Sequence, residues 1–323
     1  MIFPEGTRSE DGGIGRFHKG AFHLAEQLNL DIQPILIHGA SDVLPKNDFL
    51  IRPGALNVRV LPRIRLADAQ WGTQLRDKTK NVATFFKSAF AAYKDEMEDT
   101  AYLKHKIFTN YVFKGPVLEW YFKIKWRLES KNFAYYNDMI ADRKNILDIG
   151  CGYGYLSFYL HYKNTQRVIT GIDYDEEKIS IAQHSYHKTS NLRFMCADVM
   201  QADLGSQDVI FLNDILHYLS KEKQLKLLNR CALALQSDGI LFIRDGITDN
   251  EEKHKKTRTT EALSTGLFSF NRKEDAFHFF SSADIRDFAA QHNMHCEMQE
   301  HSANTSNVLF ILKPMRVTLP NNN

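Results

Sequence analysis

Three glycines at alternating positions follow a short apolar run just before the middle of the chain. The run NILDI, at 145–149, leads through Gly150, Gly152 and Gly154 into the apolar stretch YLSFYL. Glycine in a strand-to-helix turn lets the backbone approach a ligand closely, and the N-terminus of the helix offers free N–H groups. A dinucleotide-binding GxGxxG pattern would need a further glycine where Tyr155 stands. We therefore expect a ligand at this turn, and other residues must identify it.

Acidic residues stand at the ends of this apolar run and of the next two. Asp148 precedes the first glycine, Asp173 ends VITGID and is followed by Tyr174, and Asp198 ends FMCAD and is followed by Val199. The carboxyl ends of parallel strands line the ligand crevice of an open sheet. A carboxylate only accepts hydrogen bonds, which suits ribose hydroxyls at Asp173 and an adenine amino group at Asp198. Each acid alone could be a helix cap or an exposed loop residue, so the prediction depends on all three acids falling in order at the ends of successive strands.

The fourth apolar run, DVIFL, leads into a group of side chains that could remove a proton. It places Asn213, Asp214 and His217 at the end of a strand, over the reactive end of the ligand. Imidazole titrates near neutrality, so His217 is the first candidate for a general base, with a histidine packed at a helix start as the alternative. Asp214 lies one turn before it, and Asp245, after the fifth run, is a second candidate. Cys151, inside the glycine turn, is expected to be a small packed residue and not a nucleophile.

This ordered set resembles the class I S-adenosylmethionine-dependent methyltransferases over residues 144–315. The resemblance implies S-adenosylmethionine as the cofactor, no metal, and a small, aromatic or lipid-linked methyl acceptor. It also implies a division of the cofactor among the residues. The methionine part falls to Asp148, Cys151 and the three glycines, the ribose to Asp173 with Tyr174, the adenine to Asp198 with Val199, and Asn213 completes the set.

Two further features bear on the acceptor. Ile215 and Leu216 follow Asp214, so the Asn-Pro-Pro-Tyr type of loop found in nucleobase N-methyltransferases is absent and no nucleic-acid partner is expected. The segment before the last two apolar runs carries five phenylalanines, which could cover a hydrophobic or aromatic acceptor or simply pack in the core. They are Phe268, Phe270, Phe277, Phe279 and Phe280.

The first residues, MIFPEGTRS, form a loop of a different kind. With GRFHKGAFHLA and IQPILIHG they resemble the lysophosphatidate acyltransferases of the glycerolipid acyltransferase family over about the first 65 residues. The resemblance implies that Glu5, Gly6, Thr7 and Arg8 bind the phosphate of an acyl acceptor, a role that suits a guanidinium beside glycine N–H groups.

The catalytic histidine of that family lies in an HxxxxD motif. None of the 13 histidines of this chain has an aspartate five positions on, and His38 with Asp42 comes closest. Without that base nothing activates an acceptor hydroxyl. We therefore expect an inactive acyltransferase portion, in a chain that begins halfway through the domain. The alternative function is acyl transfer to 1-acyl-glycerol-3-phosphate by a longer parent protein.

The elements that must position these residues fall into three predicted regions: 1–98, 99–143 and 144–315. The first is the C-terminal half of an α/β acyltransferase domain, with helices at 19–28 and 74–94. The second is an aromatic and basic linker of two helices, broken at Gly115 and Pro116. The third alternates five strands with helices and ends in a hairpin, which predicts a Rossmann-like, doubly wound, seven-stranded methyltransferase sheet. The order of regions also resembles bacterial fusions of a transporter-like region with an acyltransferase and a methyltransferase.

Composition sets limits on the partners. The 323 residues are 43% hydrophobic, and 41 basic residues against 39 acidic ones leave a net charge of +2. The four cysteines are widely spaced and suggest neither a disulfide framework nor a zinc site. No signal peptide is evident, so a cytoplasmic location is predicted. The basic and aromatic segment 104–131 could lie on anionic lipid at the inner face of the cytoplasmic membrane, or cover the cofactor, and both interpretations stay open.

Overall fold

The computed structural model describes residues 1–9, 12–46, 49–112, 114–249, 278–300 and 307–315 of the chain. They belong to two compact units, Met1–Lys106 and Ile107–Asn323, which we call the N-terminal and C-terminal units. Across the described ranges, no helix combines the length and the apolar content that crossing a bilayer requires.

The N-terminal unit places helices around a small antiparallel sheet. Its strands are β1 (Ile35–His38) and β2 (Asn57–Val60), and its helices are α1 (Gly20–Gln27), α2 (Ala40–Val43), α3 (Leu75–Met97) and the first part of α4 (Thr100–Thr109). The core forms because α3 carries Val82, Phe86 and Phe90 at one-turn spacing, on the face that packs with Phe17 and Leu36. The two helices predicted in this region are therefore present.

One face of the small sheet is exposed. Ile35 pairs with Val60 and Ile37 with Val58, so these four side chains project from the same side. Between 37% and 62% of each is exposed. Leu36, on the opposite side, is buried in the core. The alternation of strand side chains thus gives the sheet one apolar face inside and one outside.

The C-terminal unit contains a seven-stranded sheet in the order β5-β4-β3-β6-β7-β9-β8. Its strands are β3 (Asn145–Ile149), β4 (Val168–Asp173), β5 (Leu192–Cys196), β6 (Gln207–Asn213), β7 (Leu235–Gly246), β8 (Met294–Glu300) and β9 (Asn307–Pro314). The first five run parallel, whereas β9 pairs antiparallel with both β7 and β8. The predicted doubly wound sheet with a terminal hairpin is confirmed.

In the described part of this unit, five α-helices accompany the sheet: α5 (Pro116–Ile140), α6 (Tyr155–Lys163), α7 (Glu176–Gln183), α8 (Lys221–Ala234) and α9 (Ser282–Gln291). The strand β3 has β4 on one side and β6 on the other, so the chain changes direction across the sheet at β3. In open α/β sheets such a switch point creates a crevice at the carboxyl ends of the strands. That crevice is where the predicted site residues belong.

The helix α5 is part of the C-terminal unit. Gly115, at a φ of 103°, precedes Pro116, which occupies the first turn where its missing N–H costs nothing. One face of α5 is buried, and Trp126 and Phe133 on that face contact the ring of Tyr159 on α6. The break that the sequence predicts between two helices is confirmed.

Candidate functional site

The glycine turn after β3 is built from three residues with positive φ. Gly150 lies at 72°, and a side chain there would reach within 2.1 Å of Ile215 Cγ2. Gly154 has a φ of 80°, and a side chain there would lie 2.5 Å from the ring of Phe194. At Gly152, by contrast, an added Cβ would meet only Lys178 Cδ, at 4.0 Å. The turn therefore needs glycine at its two ends for packing and leaves open space at its middle.

Cys151, between these glycines, packs inward. A side chain on Gly171 of β4 would lie 2.8 Å from Cys151 Sγ, so the thiol fills the space above that glycine. Burial raises the pKa of the Cys151 thiol well above its usual value, and the carboxylates of Asp148 and Asp173 raise it further. A thiol held in its neutral form is a poor nucleophile. The geometry supports the prediction of a small packed residue.

Asp173 stands at the end of β4, with its carboxylate turned toward the glycine turn. Its Oδ2 accepts a hydrogen bond from Gly152 N at 2.8 Å, and its Oδ1 accepts one from Asp175 N at 3.0 Å. Each oxygen has two lone pairs, so both keep capacity for another donor. A fixed carboxylate of this kind beside the open space at Gly152 fits the paired hydroxyls of a ribose.

Asp148, at the end of β3, is 3% exposed and lies deeper than Asp173. Its Oδ2 accepts a hydrogen bond from Ser157 Oγ at 2.6 Å. Burial raises the pKa of Asp148 to about 7, with Ser157 acting against the shift and Asp173 adding to it. A carboxyl in this environment exchanges a proton near neutral pH. The two acids at the turn thus differ: Asp173 is held by backbone N–H groups, whereas Asp148 is buried and has a pKa raised to about 7.

The residues predicted to hold an adenine are less enclosed. Asp198 is exposed, and its side chain accepts hydrogen bonds from Met200 N at 2.8 Å and from Gln201 Nε2 at 3.2 Å. Val199 packs against the core of the sheet. Tyr174, after β4, is 57% exposed. Asp198 therefore caps a turn and keeps free lone pairs at the edge of the crevice, which is compatible with binding an amino group.

Asn213 and Asp214, at the end of β6, belong to a polar network that sequence reasoning missed. Asp214 has a φ of 54° and accepts a hydrogen bond from Arg244 Nη1 at 2.8 Å. Arg244 Nη2 lies 3.1 Å from Glu129 Oε1 of α5. Asn213 Oδ1 accepts a hydrogen bond from the hydroxyl of Tyr136, also on α5. The ends of β6 and β7 are thereby tied to α5.

The charges of this network are balanced. Burial opposes the ionised form of Asp214, but the charges of Arg244 and Lys125 and the hydrogen bond from Arg244 together hold the pKa of Asp214 below its ordinary value. Burial alone would lower the pKa of Arg244. The neighbouring charges of Asp214 and Glu129 together raise that pKa by more than burial lowers it, so the guanidinium stays charged. As a general base, Asp214 would have to give up its ion pair. The network therefore favours Asp214 as a residue that shapes the turn.

His217 and Asp245 are brought together by β6 and β7. His217 Nδ1 and Asp245 Oδ1 are 2.5 Å apart, and both residues are 1% exposed. Backbone N–H groups also hold the carboxylate: Leu216 N donates to Oδ2 at 2.8 Å and Gly246 N to Oδ1 at 2.7 Å. An ionised Asp245 requires the proton on Nδ1, so Nε2 carries the lone pair of the neutral ring. The sequence predicted both residues as candidate bases, and the structure pairs them.

The segment that follows the phenylalanine-rich stretch covers His217. The ring of Phe279 stacks on His217 with a centroid distance of 5.4 Å and an angle of 12°. His278 N donates to the carbonyl of His217 at 2.9 Å, and Gln224 Nε2 donates to the carbonyl of His278. Phe280 is buried in the core. The other predicted cover residues, Phe268, Phe270 and Phe277, lie outside the described residues.

Side-chain hydrogen bonds tie the PEGTRS loop to other segments of the N-terminal unit. Glu5 Oε2 accepts a hydrogen bond from Gly15 N at 2.6 Å, and Gly6 has a φ of 69°. Arg8 Nη1 donates to the carbonyls of Leu44 and Pro45 at 3.2 and 2.9 Å. Thr7 is exposed. Among the described residues, these two carbonyls are the acceptors to which the guanidinium of Arg8 donates.

His38 and Asp42, the nearest approach to an HxxxxD motif, take different partners in the N-terminal unit. His38 Nε2 lies 3.3 Å from Glu98 Oε1, and both residues are buried. Asp42 accepts a hydrogen bond from the Tyr102 hydroxyl and lies 3.0 Å from Lys106 Nζ. The two side chains thus do not form a His–Asp pair with each other.

Comparison with known proteins distinguishes the two units. Residues 146–239 match a family model described as methyltransferase domain, and residues 1–38 match one described as acyltransferase. The 1-acyl-sn-glycerol-3-phosphate acyltransferase of Limnanthes douglasii is 43% identical over 68 residues, which are 21% of this chain and 24% of that protein. The carboxy-S-adenosyl-L-methionine synthase of Glaesserella parasuis is 25% identical over 114 residues, 34% of this chain and 47% of that protein. The chain therefore spans less than half of either relative.

Similar solved structures include methyltransferases at low sequence identity. An O-methyltransferase family protein from Burkholderia thailandensis has a TM-score of 0.46 at 14% identity and covers 70% of this chain and 68% of its own. The magnesium protoporphyrin IX methyltransferase of Synechocystis, crystallised with bound SAH, has a TM-score of 0.45 at 16% identity and covers 70% of this chain and 100% of its own.

Proposed function

We propose that this chain, which carries an S-adenosylmethionine-dependent methyltransferase domain behind a fragment of an acyltransferase domain, methylates a hydroxyl group of a small aromatic or lipid-linked acceptor. The observation that carries the proposal is the buried pair of His217 and Asp245 at the carboxyl ends of β6 and β7. General bases of this kind are needed because a neutral hydroxyl must lose its proton when it attacks a methyl group.

The cofactor would be held by the turn after β3 and by the end of β4. Asp173 accepts hydrogen bonds from the ribose hydroxyls while Gly152 N and Asp175 N keep the carboxylate in place. The open space at Gly152 lets the ligand approach the backbone. Asp148 binds the methionine part, and Asp198 with Val199 binds the adenine. When bound, S-adenosylmethionine supplies a methyl group made electrophilic by the positive sulfur.

The protein's own contribution is to orient the acceptor, exclude water and move one proton. His217 accepts the acceptor's proton at Nε2, since Asp245 holds the other nitrogen. The carboxylate stabilises the imidazolium that results. No covalent bond to the enzyme is required. Phe279, stacked on His217, forms part of the wall that an aromatic acceptor would meet.

The test is a screen for methyl transfer with isotopically labelled S-adenosylmethionine. We expect the purified chain to label a compound in phenolic or lipid extracts, and His217→Gln to bind the cofactor as the parent does while losing the transfer. A chain that binds S-adenosylmethionine yet labels nothing would favour a binding scaffold over an enzyme. Equal transfer by His217→Gln would remove the histidine from the mechanism.

We further propose that the acyltransferase portion is inactive in this chain. His38 is buried against Glu98, and the PEGTRS loop has no histidine-aspartate pair of the required spacing. Incubation with lysophosphatidate and acyl-CoA should give no acyl transfer. Measurable turnover would overturn this proposal and support the alternative function, acyl transfer to 1-acyl-glycerol-3-phosphate.

A further inference from the structure

The helix α5 presents apolar side chains on two opposite sides. One side is buried in the core and includes Phe122. The other consists of four residues at intervals of three or four positions, which places them along one line of the helix. They are Val117, Trp120, Ile124 and Leu128, with 57%, 46%, 36% and 64% of their surface exposed. We call this row the outer stripe. It extends over about 17 Å of helix.

Basic residues flank the outer stripe on one side. Lys123, Arg127 and Lys131 are exposed and follow one another at four-residue intervals. Among the exposed residues from Pro116 to Lys131, a stretch that the structure describes completely, none is acidic. The first exposed acid further along α5 is Asp138, about two turns beyond Lys131. The outer side of α5 therefore combines an apolar row with a positive edge.

We propose that the outer stripe and its positive edge dock α5 on the surface of an anionic lipid bilayer. Aliphatic side chains beside a tryptophan suit the boundary between head groups and acyl chains, and lysine and arginine are attracted to anionic head groups. Contact with a second copy of the same face would set three cations against three cations. Nucleic acid would leave the aliphatic row without an apolar partner. This inference is independent of the proposed methyl transfer.

The chain contains its own reporter for this contact. Of its three tryptophans, Trp71 and Trp126 are buried, with 8% and 6% exposed, and only Trp120 is substantially open to solvent. The full chain is titrated with vesicles of phosphatidylcholine alone and with vesicles that contain phosphatidylglycerol in addition. We expect a blue shift of tryptophan emission and co-sedimentation with the anionic vesicles only. Both effects should weaken as salt rises.

Two matched triple variants distinguish the effect of the positive edge of α5 from the effect of net charge. Replacing Lys123, Arg127 and Lys131 by Gln should lower affinity for anionic vesicles on the order of a hundredfold. Replacing the exposed Arg76, Lys80 and Lys87 of α3 by Gln removes the same charge and should change affinity only slightly. Leu128→Ser should reduce both binding and the emission shift.

Three results would overturn the proposal. The first is equal binding to neutral and anionic vesicles, and the second is an equal loss of affinity in both triple variants. The third is self-association without lipid, seen by analytical ultracentrifugation and abolished by Leu128→Ser, which would identify the outer stripe as a contact between copies of the chain.

Discussion

Each unit of the molecule contains a buried histidine bonded to a carboxylate, and the two pairs differ in their surroundings. His217 lies at the carboxyl ends of parallel strands, and backbone N–H groups fix its partner Asp245. His38 lies at the end of a two-stranded sheet among the rings of Phe90, Tyr93 and Tyr102. Its partner Glu98 is also near two lysines.

We interpret the difference between the two pairs by the place of each in its sheet. The carboxyl ends of β3, β4, β6 and β7 bring the glycine turn, Asp173 and His217 to the same edge. Among the described residues, the region around His38 has no comparable strand ends, because β1 and β2 run antiparallel and pair with each other. The pair in the N-terminal unit is therefore interpreted as a core interaction.

The largest expected effect is the loss of methyl transfer on replacing the histidine of the C-terminal unit. His217→Gln removes the proton acceptor, which should lower the rate by about a hundredfold to ten-thousandfold. His38→Gln is the matched control and should leave the rate unchanged. The rates are measured with labelled S-adenosylmethionine at saturating cofactor. A similar loss in both variants would mean that the two pairs do not differ in function.

The next effect concerns cofactor affinity. Asp173→Ala removes an acceptor of charge-assisted hydrogen bonds and should weaken S-adenosylmethionine binding by about tenfold to a hundredfold, as measured by calorimetry. Asp198→Ala should weaken it less, because Asp198 is exposed at the edge of the crevice. Circular dichroism checks that both variants fold. Unchanged affinity in Asp173→Ala would show that the cofactor does not occupy this part of the crevice.

A third effect is the dependence of stability on pH. Burial raises the pKa of Asp148 to about 7 in the folded protein, so folding favours the protonated form. The resulting stability is complete below the unfolded-state pKa and is lost as pH rises toward 7, by about 1.4 kcal/mol per pH unit. Asp148→Asn should remove this slope. Chemical denaturation of both proteins between pH 5 and about pH 8 measures it, and parallel curves would contradict the assignment.

The smallest effect on the site is expected from the N-terminal unit. Glu98→Gln removes the charge that pairs with Lys94 and lies near His38 and Lys106. It should destabilise the N-terminal unit by roughly 1 to 3 kcal/mol and leave cofactor affinity unchanged. Thermal unfolding and calorimetry on the same sample test both parts. Weaker cofactor binding would show that the acyltransferase fragment influences the methyltransferase site.

The parts of this fold that could be predicted are those in which local pattern determines structure. Strands buried on both faces form continuous apolar runs, and the acids that end these runs revealed the edge of the sheet at which they meet. The seven strands were therefore predicted correctly. The PEGTRS block similarly indicated the acyltransferase fragment from a few consecutive residues.

Contacts between distant segments could not be predicted in this way. Glu129, Asp214 and Arg244 form one network, but each lies on a different element and nothing in its neighbours indicates the others. His217 and Asp245 were both predicted as candidate bases, whereas their pairing depends on the register of β6 with β7. For the same reason, the sequence left open whether the segment 104–131 covers the cofactor or lies on anionic lipid. The structure shows that α5, which begins within this segment, has one buried side and one exposed side.

The packing of Cys151 over Gly171 has a consequence for chemical labelling. A thiol packed against β4 should react faster with an alkylating reagent when the glycine turn moves away from the strand, so its rate of modification reports on the opening of the turn. Cys296, which is partly exposed on β8 at the opposite edge of the sheet, provides an internal standard in the same chain. A bound nucleoside that holds the turn closed should slow the labelling of Cys151 and leave that of Cys296 nearly unchanged, so mass spectrometry of the alkylated peptides can follow the motion of the turn without any knowledge of the acceptor.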